Sequence, residues 1–141
     1  MADCSTGPHD HGAAEVVIDH VLAVMRGPIV MGVSDCCPAA CDVFHRLHGV
    51  DPMAPLRGRY STAIGAALII ARAGGFEALA DDLAERAGLA RCGWQPGALA
   101  TAVMPTGPAL VVGLDQPGWW AGRCEGGYQI LRDVGRIWSK P

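Results

Sequence analysis

The residues in this sequence best suited to covalent chemistry are Asp35-Cys36-Cys37-Pro38. Ser34 and Asp35 can cap a helix that begins at Cys36, and Pro38 suits its first turn. A thiol at a helix N-terminus meets unpaired backbone N–H groups and the positive end of the helix dipole. Both stabilise the thiolate, which is the reactive species. Cys36 is therefore the candidate nucleophile.

A nucleophilic cysteine also needs a base within hydrogen-bond reach, most often a histidine. The histidines all lie in the first part of the chain: His9, His11, His20, His45 and His48. His45 would stand about 14 Å along the same helix from Cys36, which excludes a direct pair. A histidine of the N-terminal arm folding over Cys36 is the alternative, beside the simpler interpretation of a polar, mobile arm. We therefore do not expect a working cysteine-protease dyad.

The chain has six cysteines that could bind a metal or form a disulfide: Cys4, Cys36, Cys37, Cys41, Cys92 and Cys124. Zinc and iron–sulfur sites favour two paired C-x-x-C knuckles, whereas this chain has one Cys-Cys pair and one C-x3-C spacing. Without an export signal, reduced and mostly buried thiols are expected. We predict no metal and no cofactor, with a metal-binding assembly module as an alternative.

Two further segments are candidates for contact with a partner. Arg57-Gly58-Arg59-Tyr60 could bind an anion or a carboxylate by bidentate contacts. The other interpretation is a loop whose arginines tie down helix ends. Trp119-Trp120 could be an exposed docking pair, or a strand with one tryptophan in the core and the other half covered. We take Arg57, Arg59, Tyr60, Trp119 and Trp120 as interface candidates.

The composition fits one domain with a substantial core. The chain has 141 residues, of which 50% are apolar and 18% charged. A net charge of −3 with scattered basic residues gives no electrostatic case for nucleic acid. No apolar run reaches the roughly 18 residues of a membrane span, and the N-terminus lacks a secretory signal pattern. We expect a flexible arm over residues 1–12 and a single domain over 13–141.

The secondary-structure elements that must position these residues change from helices to strands along the chain. Helical spacing predicts helices over 13–26 and 36–48, a third capped by Ser61 or Thr62 and ending at Ala73, and a fourth over 76–87. Later segments are short, valine-rich and punctuated by glycine and proline. They predict strands over 99–104, 109–114, 119–123, 128–131 and 136–138. Helices followed by antiparallel strands indicate an α+β fold.

Several motifs resemble those of small proteins encoded in phage and prophage tail modules. Those proteins read W-G-x-x-D-C, T-G-x-D-P, R-G-x-Y and a glycine pair, and they end in a strand bearing tryptophan. The matching segments, from about Met31 to the C-terminus, are Met31–Cys36, Gly49–Pro52, Leu56–Tyr60, Gly65, Gly74-Gly75 and Trp138. The tryptophan of the first motif is replaced here by Met31.

That family is similar in layout to the NlpC-type, papain-like cell-wall peptidases, so the resemblance implies a papain-like domain. In those enzymes the nucleophilic cysteine follows an aspartate at a helix start, and a histidine stands on a following strand. Cys36 matches the nucleophile position. The histidine position falls near the start of the 109–114 strand, where Gly107-Pro108-Ala109-Leu110-Val111 offers no base.

The resemblance implies a structural component of a phage or phage-like tail tip or baseplate with a degenerate peptidase site. Such a protein is made in the bacterial cytoplasm, ends in the virion tail and binds other hub or baseplate proteins. The enzymatic alternative is a peptidoglycan endopeptidase or amidase that uses Cys36. Its base would then come from the N-terminal arm or a partner chain.

Overall fold

The computed structural model of the chain describes residues 17–141. In that part of the chain the helices come first and an antiparallel sheet follows. The α+β class predicted from the sequence is therefore confirmed. The predicted arm over residues 1–12 and the start of the predicted first helix lie outside the described residues.

Helix bounds agree closely with the sequence patterns. Helix α1 covers residues 17–24, α2 Cys36–His48, α3 Ala63–Arg72 and α4 Phe76–Arg86, with a 3-10 turn at Ala54–Leu56. Gly49 ends α2 in the left-handed conformation at φ 75°, which glycine adopts without a Cβ penalty. Thr62, one of two predicted caps of α3, accepts a hydrogen bond from the Gly65 N–H at 3.0 Å.

The strands form one sheet in which every pairing is antiparallel. They are β1 Ala90–Arg91, β2 Leu99–Met104, β3 Gly107–Gly113, β4 Trp120–Cys124, β5 Gly127–Leu131 and β6 Ile137–Ser139. Their order across the sheet is β1-β6-β2-β3-β4-β5. Each of the five predicted strands is present within two residues of its expected bounds. The sequence pattern missed β1, whose two residues are both exposed.

The core lies on both faces of this sheet, because alternate strand residues point to opposite sides. Leu110 and Val112 pack with the helices, and Val111 and Trp120 belong to a second buried cluster. Helix α2 crosses the central strands and buries Phe44 completely. The start of α2 is thereby held against the start of β3, which is where the candidate nucleophile lies.

Arg57 ties the loop after α2 back to that helix. Its Nε is 2.8 Å from Asp51 Oδ2 and its Nη2 is 2.6 Å from Asp42 Oδ1. Burial raises the pKa of Asp51, but the hydrogen bonds and charge of Arg57 and the Met53 N–H outweigh it, and the pKa is lowered. Arg57 therefore links the loop to helix α2. This agrees with the interpretation of the segment as a loop whose arginines tie down helix ends.

Helix α3 is apolar along nearly its whole length, yet none of its residues is buried. Ile64 is 75% exposed and Leu68 is 49% exposed. Within residues 17–141 no single helix is long and apolar enough to cross a membrane. Helices α3 and α4 meet that criterion only jointly, and the chain bends by 78° between them.

We expect Asp51→Asn to lower the free energy of unfolding by about 1–2 kcal/mol near neutral pH, because it removes a charge-assisted pair with Arg57. The pKa of Asp51 is lowered in the fold, so this stabilisation is present above its unfolded value of about 3.9. It is lost as the pH falls through the lower folded value. Urea unfolding near neutral pH and at about pH 2–3 measures the difference, which should shrink in acid.

Asp82→Asn is the control for this measurement. It removes a pair with Arg86 in which both side chains are largely exposed. Such pairs contribute about 0.5 kcal/mol or less. A loss in Asp51→Asn that is equally large in acid would contradict the role given to its ionised carboxylate.

Candidate functional site

The Asp35 carboxylate joins the segments that precede α2 and α3. Asp35 occupies the N-cap position of α2, as predicted, although its side chain makes no capping hydrogen bond. Its two oxygens are engaged elsewhere, because Oδ1 accepts from the Gly32 N–H and Oδ2 from the Tyr60 hydroxyl, both at 2.8 Å. At 8% exposure the carboxylate is held in place beside Cys36.

Gly32 allows its backbone to approach the backbone of Tyr60 closely. Its φ is +83°, and a Cβ there would lie 2.0 Å from the carbonyl oxygen of Tyr60. Burial, followed by the hydrogen bond to Asp35, raises the pKa of Tyr60, so its hydroxyl stays protonated as a donor. Residues from two motifs behind the phage-tail resemblance thus meet in one contact that positions the start of α2.

Arg123 is the residue of this region that sequence reasoning missed. It is 1% exposed, and its guanidinium donates to six backbone carbonyls at 2.9–3.3 Å. The acceptors are Arg26, Gly27, Pro28, Ser34, Cys124 and Gly127. Four of them lie in the segment between α1 and α2. The signal available in the sequence was a single charge inside the small, apolar strand Trp120–Cys124.

Cys36 lies in the first turn of α2, as predicted. Its Sγ is 3.9 Å from the Sγ of Cys37 and 3.9 Å from the carbonyl oxygen of Pro108. Hydrogen bonding from the Cys37 thiol lowers the pKa of Cys36, against the opposing effects of burial and of the Asp35 charge. The pKa of Cys37 is raised, because it donates that hydrogen bond and is buried. Of the two thiols, Cys36 therefore ionises more readily.

The strand that faces Cys36 carries no base. The histidine position implied by the resemblance falls at the start of β3, and Pro108 is the residue in contact with the thiol there. His48 lies at the opposite end of α2, where its Nε2 is 3.1 Å from the Gly97 carbonyl oxygen. His45 is exposed on the last turn of the same helix, and His20 is on α1. No histidine of residues 17–141 is thus placed to pair with Cys36.

A cavity of about 450 Å³ opens beside the two thiols. Its walls come from α2, α3, α4, the 3-10 turn and the start of β3. Most of its lining is apolar, including Met31, Leu56, Ile70, Phe76 and Leu79. The polar side chains that border it are mostly already paired: Asp35 with Tyr60, Arg123 with carbonyl oxygens, and Glu125 with the Ile29 N–H at 3.0 Å. The volume is within the range of small-molecule sites, about 300–1,000 Å³.

The described cysteines do not form a metal centre. No group of three or more His, Cys, Asp or Glu residues converges within residues 17–141. Burial raises the pKa of Cys41, which opposes the thiolate form that metal binding needs. The five cysteines in this part of the chain, Cys36, Cys37, Cys41, Cys92 and Cys124, are all free thiols.

The interface candidates divide into buried, engaged and exposed residues. Trp120 is 1% exposed and packs in the core, so its inclusion among the interface candidates was wrong, and the alternative interpretation, with one tryptophan in the core and the other half covered, is confirmed. Trp119 is half-buried, with the Arg132 guanidinium 4.9 Å from its ring centroid. Tyr60 and Arg57 are half-buried and held by carboxylates. Arg59 is exposed.

Comparisons with known proteins gave one match. A family model described as a domain of unknown function, DUF6950, matches residues 12–139. No curated protein and no solved structure matched the chain.

We expect Cys37→Ala to slow the alkylation of Cys36 by iodoacetamide several-fold near neutral pH, because the hydrogen bond that stabilises the thiolate is lost. The rate as a function of pH, followed by mass spectrometry of the Cys36 peptide, measures the change. Cys92→Ala removes a distant thiol and should leave the rate unaltered. An unchanged rate profile in Cys37→Ala would rule out the thiol pair as the cause of the lowered pKa.

Arg123→Met should lower the free energy of unfolding by about 3 kcal/mol or more, because buried carbonyls lose their donors. Arg123→Lys keeps the charge but supplies fewer donors, so an intermediate loss is expected. Urea unfolding measures the loss, and hydrogen exchange should increase in residues 26–34. Arg132→Met, at an exposed arginine, is the control. Equal losses in Arg123→Met and Arg132→Met would contradict the role of Arg123.

Proposed function

This chain belongs to the DUF6950 family, and we propose that it is a structural component of a phage or phage-like tail tip or baseplate. In this proposal it binds other hub or baseplate proteins, is made in the bacterial cytoplasm and ends in the virion tail. The observation that carries the proposal is the apolar surface of α3 in the described chain. The resemblance of the sequence motifs to tail-module proteins supplies the context.

Helix α3 has the apolar composition of a buried helix, although none of its residues is buried in the described chain. Nine of its ten residues are uncharged, the exception being Arg72, and none is buried. A helix that is apolar all round normally lies in a core or against another apolar surface. Gly32 touches Tyr60, so the loop that carries Val33, 63% exposed, lies beside the residues that lead into this helix. Exposed apolar residues in both segments favour a protein partner on this side of the domain.

We further propose that the domain is of the papain-like, NlpC type and that its peptidase site has degenerated. The packing of the α2 start against β3 supports the layout, since in the enzymes that the motifs resemble a helix-borne cysteine faces a histidine on a strand. Pro108 stands near Cys36 instead. Amide hydrolysis requires a group that protonates the leaving amine, and neither proline nor the neighbouring Ala109 can do so.

Mass spectrometry of purified particles from a producing host tests the structural role, and we expect the protein to be present. Ile64→Glu should strongly reduce its incorporation, because a charge then lies on the proposed contact surface. Since Ile64 is 75% exposed, the domain should still fold. Val103→Glu changes a residue that is 80% exposed on β2 and is the matched control. Particles that lack the protein would refute the proposal.

A second candidate function is peptidoglycan cleavage by an endopeptidase or amidase that uses Cys36. The observation in its favour is a thiol with a lowered pKa beside a cavity. The base would come from the N-terminal arm or from a partner chain. Zymography on purified peptidoglycan discriminates the two functions: activity in the wild type that is absent from Cys36→Ala would establish the enzyme, and no activity in either supports the degenerate site.

A further inference from the structure

The thiols and the cavity form one site, and the proposed structural role makes no use of it. Cys36 and Cys37 belong to the wall of the 450 Å³ cavity, and much of the remaining wall is aliphatic or aromatic. Hydrogen bonds from Gly32 and Tyr60 already occupy the carboxylate of Asp35. Backbone carbonyls likewise occupy the donors of Arg123. Apart from Thr106 and Glu125, what the cavity offers a ligand is therefore apolar surface and a thiol.

The dimensions of the cavity favour a long hydrocarbon chain. An apolar cavity of about 150 Å³ holds one benzene molecule, which has six carbons. By that measure, 450 Å³ accommodates on the order of 12–18 carbons. The burial of each methylene contributes about 0.8 kcal/mol, so each carbon that enters the cavity adds to the affinity for the chain.

We propose that Cys36 accepts a long-chain acyl group from an acyl thioester and that the cavity holds the chain. The Sγ thiolate attacks the carbonyl carbon of the donor, the C–S bond of the donor breaks, and the donor leaves as a thiolate that takes a proton from water. One thioester is formed as another is broken, so the exchange needs no oxidant, reductant or further reactant.

This exchange suits a cysteine without a histidine partner. A leaving thiol has a pKa of about 8.5 and departs as an anion, whereas a leaving amine must be protonated. The attacking group is already favoured as a thiolate by the Cys37 thiol and by the N-terminus of α2. The positive end of that helix also favours the negative charge that develops on the carbonyl oxygen.

The thioester on Cys36 should also persist, because the described residues place no histidine beside it. Hydrolysis of a thioester requires an activated water molecule, and no histidine of residues 17–141 lies beside Cys36 to activate one. The chain in the cavity would also restrict the access of water to the thioester. The site would therefore act as a stable acyl acceptor rather than as a hydrolase.

The test incubates the purified full chain with palmitoyl-CoA and follows the intact mass. We expect the gain of one acyl group, mapped to Cys36 and removed by neutral hydroxylamine, which cleaves thioesters. Cys36→Ser should lose this modification, and Cys92→Ser should keep it. A protein without modification at Cys36 would overturn the proposal.

A cavity-filling variant separates specific acylation from general thiol reactivity. Ala66 lines the cavity, so Ala66→Phe should slow palmitoylation about tenfold or more while leaving the reaction with acetyl-CoA unchanged. Ala71→Phe introduces the same side chain at an exposed α3 residue that is outside the cavity and is the matched control. Equal palmitoylation of the wild type and Ala66→Phe would overturn the proposal. This outcome is independent of whether the protein is found in particles.

Discussion

The burial of Arg123 is the constraint on which the candidate site depends. A guanidinium removed from water must have its donors satisfied, and here backbone carbonyls satisfy them. Four of these carbonyls lie in the segment that leads into α2. That segment belongs to neither a helix nor the sheet, and the arginine supplies donors to carbonyls that have no helical partner. The position of Cys36 at the end of this segment is therefore set from a strand almost ninety residues further along the chain.

In the same region, groups that stabilise the thiolate of Cys36 are present, whereas the facing strand supplies no group for amide hydrolysis. Cys37 and the helix N-terminus favour the ionised form of Cys36, and both are local features of α2. In the enzymes that the motifs resemble, the general acid for a leaving amine stands on the strand that corresponds to β3, where Pro108 lies here. Among residues 17–141 no histidine lies beside the nucleophile to act as this acid, which favours reactions whose leaving group departs without protonation. Its chemistry is then decided by the leaving group and by the apolar cavity beside it.

Much of the fold could be predicted from the sequence because its signals are local. Gly49 ends α2 and Thr62 caps α3, and each acts through its own backbone or side chain within a few residues. The five predicted strands were bounded by glycine and proline in the same way. Strand β1 escaped prediction because two exposed residues carry no alternation, and only pairing with β6 makes them a strand.

The sequence by itself determined that Cys36 begins a helix and that β3 offers it no base, since residue types and helical spacing suffice for both. Only the tertiary structure decided what surrounds the thiol. The partners of Asp35 are Gly32 and Tyr60, and the second of these is distant in sequence. Contacts between separate elements likewise bury Trp120 and bind the guanidinium donors of Arg123 to backbone carbonyls. Local patterns carry no information on such contacts, because packing selects which side chains meet.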